Sequence, residues 1–166
     1  PFYRTIKGYV IMMPLDEVLE WHRVARACYR TVSKNLNAPT GSFPLDNIFV
    51  SKPIHEIRTP LTTAVSELDD LTVVALVSVF EQQVLDYLRT TTATTMKKSS
   101  DSFENSVMKY ALKKADHWHF PDILDFFKPV VGSTLAGEAK QIYQYRNWVA
   151  HGRRKEKPVS VDPLTA

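Results

Sequence analysis

The sequence predicts an all-α fold, a bundle of four or five helices with an N-terminal helical extension. Apolar residues recur at helical spacing over residues 14–37, 61–89 and 141–154. Residues that favour helix ends, such as Pro14, Asp101 and Gly152, stand at the borders of the predicted helices. With 166 residues, of which 44% are hydrophobic, the chain is long enough for one ordinary core.

Composition limits the class of protein. Lys and Arg number 21 and Asp and Glu 18, and the net charge of +3 permits contact with nucleic acid without requiring it. Cys28 is the single cysteine, which excludes an internal disulfide and fits a reducing, cytoplasmic setting. We find no signal-peptide pattern and no apolar run that could span a membrane. The chain starts at Pro1 without a Met, so we expect a fragment of a longer protein.

The first predicted helix covers residues 14–37, after a stretch that could be a short strand or an apolar arm. Pro14 suits its first turn, and Asp16 and Glu17 complement the positive end of the helix dipole. Its expected core residues are Val18, Trp21, Ala25, Cys28, Val32 and Leu36. Another face carries a basic stripe, namely Arg23, Arg26, Arg30 and Lys34. The stripe is either a solvated face or a track for an RNA backbone.

Residues 38–60 contain four prolines and Gly41, so we expect a connector without regular helix. The predicted organisation is therefore an arm, helix and connector over residues 1–60 and a main bundle over 61–154. Residues 155–166 form the last part, a tail that leaves the bundle in extended form.

The main bundle begins with a helix predicted over residues 61–89. Its apolar stripe consists of Val74, Val77, Val84, Leu85 and Leu88, and Glu81 lies at the centre of that stripe. A carboxylate among apolar side chains needs a partner. The polar run at 90–100 that follows predicts a mobile loop.

Two shorter helices are predicted next. Asp101 and Glu104 resemble a capping box that opens a helix to about Lys114, with Phe103, Val107 and Ala111 inward. His117 and His119 lack a third ligand nearby, so residues 117–119 favour an aromatic hinge over a zinc site. A short helix over residues 121–128 should end at Pro129, and residues 132–137 should form a turn into the last helix near Glu138.

The last helix carries the candidate functional residues. Its apolar arc consists of Ala139, Ile142, Tyr145, Val149 and Ala150. Arg146 falls in the middle of this arc, and because an arginine stays protonated it needs an acidic partner, for which Glu81 is the candidate. Asn147 and His151, four residues apart, share a neighbouring polar face.

Residues 146–152 read Arg-Asn-Trp-Val-Ala-His-Gly. They resemble the signature of the HEPN superfamily of helical domains, in which a spacer of four to six residues separates an Arg from a His and the residue after the Arg is usually polar. The resemblance implies a HEPN-like bundle over 61–154 and metal-independent ribonuclease activity at a composite site across a homodimer. It also implies Glu81 as the acid of the first long helix of the domain. The family suggests a toxin or an anti-phage effector, with an antitoxin or other protein as a further partner.

The residue types fit RNA cleavage by the 2′-hydroxyl group. His151 can serve as acid or base near neutral pH, Arg146 can stabilise the charged phosphorane, and Asn147 can orient the imidazole or the phosphate. Arg153, Arg154 and Lys155 could bind phosphates that flank the cut. Neither a cofactor nor a metal is expected.

Two other interpretations remain open. Arg146 and Glu81 could form a purely structural buried pair, with His151 only a favourable cation at a helix C-terminus. The domain could also be a non-catalytic module that binds nucleotide, RNA or a protein partner.

Overall fold

The computed structural model describes residues 3–6, 9–12, 14–36, 52–153, 156–159 and 161–164, and its helical body confirms the all-α prediction. Among these residues, the helices are α1 (Leu15–Asn35), α2 (Ile54–Lys98), α3 (Ser102–Lys114), α4 (Phe120–Asp125), α5 (Lys128–Val131) and α6 (Ser133–Ala150). A two-stranded antiparallel hairpin precedes them, formed by β1 (Tyr3–Ile6) and β2 (Tyr9–Met12). Of the two predictions for this region, the short strand is therefore confirmed.

Helix α1 begins after Pro14, as predicted, and packs against α2. Val18 and Leu36 are buried, but Trp21 is 42% exposed and Cys28 is exposed, so the expected core list is wrong at those two positions. The reason is that α1 contacts α2 through a narrow seam, which also buries His22 completely. Trp21 and Cys28 lie to one side of that seam.

Helix α2 is one continuous helix of 45 residues, roughly 68 Å long at about 1.5 Å per residue. It starts at Ile54, so the predicted connector is wrong over residues 54–60, while residues 37–51 lie outside the described part of the chain. Pro60 lies inside the helix, where its nitrogen cannot donate a backbone hydrogen bond. The predicted mobile loop at residues 90–98 is also wrong. That polar run contains neither Gly nor Pro, and the hydroxyl groups of Thr94 and Thr95 donate to carbonyl groups four residues earlier.

Helix α3 has the predicted bounds, and the carboxylate of Asp101 accepts hydrogen bonds from the backbone N–H groups of Phe103 and Glu104. Phe103 and Val107 do not face the core as predicted, since they are 74% and 52% exposed. A 3₁₀ turn at Ala115–His117 follows. The helix predicted over 121–128 is split into α4 and α5, and Pro129 lies in the first turn of α5 instead of ending a helix. Helix α6 already starts at Ser133, so the predicted turn at 132–137 is helical from that residue on.

The core is arranged around α2, which is contacted on different sides by the other helices. Val18 of α1 packs against Ala75, Leu76 and Val79. On the α6 side, Tyr145 packs against Val73 and Val77. The third cluster joins α4 to the second half of α2 and consists of Phe120, Ile123 and Leu124 with Phe80, Val84, Leu85 and Leu88 around them.

The tail after α6 returns to the bundle. Val161 packs against the cluster of Val73, Val77 and Tyr145, and Pro163 is buried. The prediction that the tail leaves the bundle is therefore wrong, because the side chain of Val161 packs against residues of α2 and α6. Of the described helices, none combines the length and the apolar composition that crossing a bilayer requires.

Candidate functional site at the end of helix α6

Helix α6 ends in a left-handed turn at Gly152, as the sequence predicted. Gly152 has a φ of 73°, a left-handed conformation that glycine adopts without strain. The N–H of Arg153 donates to the carbonyl of Trp148 at 2.9 Å and that of Gly152 to the carbonyl of Val149 at 3.0 Å. This pair of bonds is a Schellman motif, and it directs Arg153 back toward α2.

Arg146 lies near Glu81, as the helical spacing of both residues predicted. It is half-buried, with its side chain 25% exposed. Its Nη2 is 4.0 Å from Oε2 of Glu81, a distance too long for a hydrogen bond. Its Nη1 donates to Oδ1 of Asn147 at 2.9 Å, and its Cζ lies 5.9 Å from the centroid of the Tyr143 ring. The buried Nε has no hydrogen-bond acceptor among the described residues.

Arg146 is therefore oriented by Asn147 and Tyr143, but not every one of its hydrogen-bond donors has an acceptor among the described residues. A buried N–H without an acceptor costs about 1–3 kcal/mol. The Nε atom itself is buried, so an anion would approach the guanidinium group through the exposed quarter of the side chain. A guanidinium group in this state is suited to bind a phosphate oxygen.

His151 lies at the C-cap of α6 with an exposed side chain, where an imidazole is accessible to a substrate. Asn147 accepts a hydrogen bond from Arg146 in this structure, a contact that the sequence did not predict, and its role in orienting the imidazole or the phosphate stays a prediction. Around the axis of α6, Tyr143 and Asn147 occupy the arc between Arg146 and His151, about 140° wide at about 100° per residue. The three predicted catalytic residues thus lie at one end of one helix.

Arg153 occupies a different environment, a network of two carboxylates and one hydroxyl group. Its guanidinium group donates to both carboxylate oxygens of Glu67 at 2.7 and 2.9 Å and also to Asp70. Asp70, which is buried, accepts a hydrogen bond from the hydroxyl group of Tyr145 at 2.5 Å. The bidentate bond to Arg153 lowers the pKa of Glu67, and the two carboxylates raise the pKa of Arg153.

This network bears on the predicted RNA-binding residues. Arg153 would have to give up carboxylate bonds to bind a phosphate, so its role in RNA binding stays a prediction with a competing structural role beside it. Arg154 and Lys155 lie outside the described residues. Lys157, by contrast, is placed with its Nζ 5.7 Å from the centroid of the Trp148 ring, and the Cζ of Arg153 is at the same distance from that ring.

Sequence reasoning missed the aromatic ring of Tyr143 at this site. Tyr143 packs on Phe120, and its ring also meets His119 edge to face, with centroids 6.3 Å apart. His119, which the sequence placed in a hinge, therefore shares Tyr143 as a neighbour with Arg146. The available signal was the spacing of Tyr143, three residues before Arg146 on the same helix.

Among the described residues, no group of three or more His, Cys, Asp or Glu side chains is arranged to hold a metal ion. Comparisons of the chain with family models, with curated proteins and with solved structures gave no match.

Proposed function

We propose that this protein is a metal-independent endoribonuclease of the HEPN type, acting in the cytoplasm as a toxin or an anti-phage effector. The observation that carries the proposal is the state of Arg146, a half-buried guanidinium group held by Asn147 and Tyr143 with its Nε lacking an acceptor among the described residues. It lies on the same helix end as the exposed His151.

The proposed reaction is a transesterification within RNA. A base removes the proton of the 2′-hydroxyl group, the 2′ oxygen bonds to phosphorus, and the bond from phosphorus to the 5′ oxygen breaks. An acid protonates the leaving 5′ oxygen, which gives a 2′,3′-cyclic phosphate and a 5′-hydroxyl end. His151 takes the role of acid or base, Arg146 stabilises the negative charge on the phosphorane, and Asn147 holds Arg146 in position.

A second acid or base is needed, and we propose that a second copy of the chain supplies it. In a twofold dimer, each copy contributes one Arg146 and one His151 to the same groove, because a C2 interface is self-complementary. An antitoxin or other protein partner would then act by covering this groove or by separating the copies.

The test is cleavage of a mixed RNA pool in EDTA by the wild-type chain, by His151→Ala and by His55→Ala. His55 is a matched control, since it is an exposed histidine near the start of α2 with a side chain 80% exposed. We expect the wild type and His55→Ala to cut and His151→Ala to lose at least a hundredfold in rate. Circular dichroism establishes that all three chains are folded, and sedimentation establishes whether the active species is a dimer.

Three results would count against this assignment. Equal cutting by His151→Ala would place the activity elsewhere. Absence of cutting by a folded, dimeric wild type would reject catalysis on these substrates. Cutting by a strict monomer would reject the composite site.

The second candidate is a non-catalytic module that binds nucleotide, RNA or a protein partner. The contact of Arg146 with Glu81 favours it, because a charge pair of this kind at a helix interface also serves stability alone. A chain that binds the RNA pool without cutting it, and whose affinity is unchanged in His151→Ala, would establish the module in place of the enzyme.

A further inference from the structure

Helix α3 presents an apolar stripe to solvent. The stripe consists of Phe103, Val107 and Tyr110, which are 74%, 52% and 66% exposed. Their spacing of four and three residues places them within about 60° of arc at about 100° per residue. Single apolar residues are common on a protein surface, but three large ones on one stripe mark an interaction surface.

The other side of α3 faces the bundle. Met108 and Leu112 are partly buried, and Ala115, directly after the helix, is buried. Met108 and Leu112 lie about 140° and about 180° from the position of the first stripe residue around the helix axis. Helix α3 contacts α2, and the side-chain amide of Asn105 donates to the carbonyl of Ser99 at 3.1 Å. The stripe therefore points away from the bundle and is accessible to another molecule.

The two ends of α3 carry opposite charges. Glu104 lies in the first turn, after the N-cap residue Asp101, whereas Lys113 and Lys114 lie in the last turn. Lys114 continues the stripe, since it follows Tyr110 by four residues and its Nζ lies 5.9 Å from the centroid of the Tyr110 ring. A helix with this charge pattern attracts an antiparallel helix with the same pattern.

An antiparallel copy of α3 matches both the stripe and the charges. With a twofold axis between residues 108 and 109, Val107 lies opposite Tyr110 of the second copy. Phe103 then lies opposite the aliphatic stem of Lys114 of the second copy, and such a stem can cover apolar surface while its charged end stays in water. That charged end lies on the same side of the pair as Glu104. Symmetry repeats each of these contacts, so the pair has two attractions between Glu104 and Lys114.

We propose that α3 is a contact surface for α3 of a second copy of this chain, paired antiparallel in this register. The occupant is a second copy because both the apolar stripe and the charge pattern are self-complementary. With 13 residues, α3 is roughly 20 Å long, so the contact is small and its dissociation constant should be on the order of 10 µM. The contact uses none of the residues of the α6 end, so it is separate from the dimer proposed for cleavage. A chain with both contacts forms an assembly larger than a dimer.

The test is sedimentation velocity of the wild-type chain and its variants from about 1 to about 200 µM, a range that brackets the expected dissociation constant. Val107→Glu places a charge in the centre of the stripe and should weaken association about tenfold or more. Glu104→Lys and Lys114→Glu each replace two attractions by two repulsions and should weaken it about tenfold. Lys109→Glu is the matched control, because Lys109 is exposed on the same helix about 120° from the start of the stripe, and its effect should stay below about twofold.

An equimolar mixture of Glu104→Lys and Lys114→Glu tests the arrangement itself. In a mixed pair, one contact keeps the native residues and the other has both charges reversed, so association should recover to within a few-fold of the wild type. Glu104 also accepts a hydrogen bond from the hydroxyl group of Ser99 at 2.8 Å, so circular dichroism and melting curves verify that both variants are folded.

Four results would overturn the proposal. The first is a wild type that stays monomeric over the whole range, and the second is an association that is equally strong in Val107→Glu. The third is an equal loss in Lys109→Glu and Lys114→Glu, which would mean that net charge and not the stripe governs the association. The fourth is a mixture that does not recover, which would reject the antiparallel pairing.

The same variants separate this contact from the ribonuclease proposal, because mass and cleavage are measured independently. A Val107→Glu chain that is monomeric and still cuts RNA would keep the α3 contact and reject the composite site. A wild type that associates through α3 without cutting RNA would keep the contact and reject catalysis. A Val107→Glu chain that cuts as a dimer, where the wild type forms a larger assembly, would keep both proposals.

Discussion

Two arginines at the end of the same helix meet carboxylates of α2 in opposite ways. Arg153 is bound by Glu67 through two hydrogen bonds and also by Asp70, which in turn is bonded to Tyr145. Arg146 approaches Glu81 only to 4.0 Å and keeps a buried Nε without an acceptor among the described residues. The first arginine has the satisfied bonding of a structural contact, whereas the second keeps a buried donor without an acceptor and has a side chain that is 25% exposed. The comparison favours a structural role for Arg153 and agrees with the ligand-binding role proposed for Arg146.

The largest expected effect is the loss of RNA cleavage in Arg146→Gln. Removing a positive donor beside a phosphorane lowers the rate on the order of a hundred- to a thousandfold. The free energy of unfolding should change by less than about 1 kcal/mol, because the contact with Glu81 is long and partly exposed. Cleavage rates and urea unfolding of the same preparation test both statements. A large loss of stability would make Arg146 a structural residue and remove the contrast with Arg153.

Arg153→Gln should show the reverse pattern. Asp70 is buried and would keep only its bond from Tyr145, so we expect a loss of about 2 kcal/mol in the free energy of unfolding. The midpoint of thermal unfolding would then fall by roughly 4–8 °C. Cleavage by the folded protein should stay within a few-fold of the wild type.

Arg26→Gln is the control for this measurement. Its contact with Asp69 is 3.8 Å long, so its loss should cost clearly less than that of Arg153. If Arg153→Gln is as stable as Arg26→Gln, the network at Arg153 contributes nothing beyond an ordinary surface pair.

The same network predicts a dependence of stability on pH. The bond to Arg153 holds the pKa of Glu67 below its usual value of 4.5 in the folded chain. The stabilisation by this group is therefore complete above about pH 4.5 and is lost as the pH falls through the lowered pKa. Because nearly half of the Glu67 side chain is exposed, its contribution to the free energy of unfolding should stay below about 1 kcal/mol.

Urea unfolding of the wild type and of Glu67→Gln at pH 7 and at pH 3 measures this effect. The stability difference between the two chains should shrink at the lower pH. Asp125, whose pKa is lowered by Lys128 and Lys140, acts with the same sign in both chains, so the difference isolates Glu67. A difference that is independent of pH would show that Glu67 does not titrate through its contact with Arg153.

The comparison also explains what could be predicted from the sequence. Arg146 and Glu81 each lie in an apolar stripe of a regular helix, so helical periodicity alone was enough to pair them. Arg153 follows a left-handed turn, where periodicity ends, and its partners on α2 are fixed only by the packing of two helices. The burial of His22, which is bonded to Asp69, could not be predicted for a related reason, because it depends on how α1 packs against α2. The length of α2 was also predicted wrongly from local signals. The polar run of threonines continues the helix, because it contains no residue that ends a helix.

The smallest expected effect concerns His119, which touches Tyr143 and so neighbours the ring beside Arg146. If its role is to hold that ring, His119→Ala should lower cleavage about tenfold or less, because Arg146 keeps its bond to Asn147. His117→Ala, an exposed histidine on the adjacent 3₁₀ turn, serves as the control and should cut like the wild type. A loss in His119→Ala as large as that in His151→Ala would change the mechanism. It would indicate that His119 itself acts as acid or base, and cleavage by a monomer would then show that one chain supplies both groups.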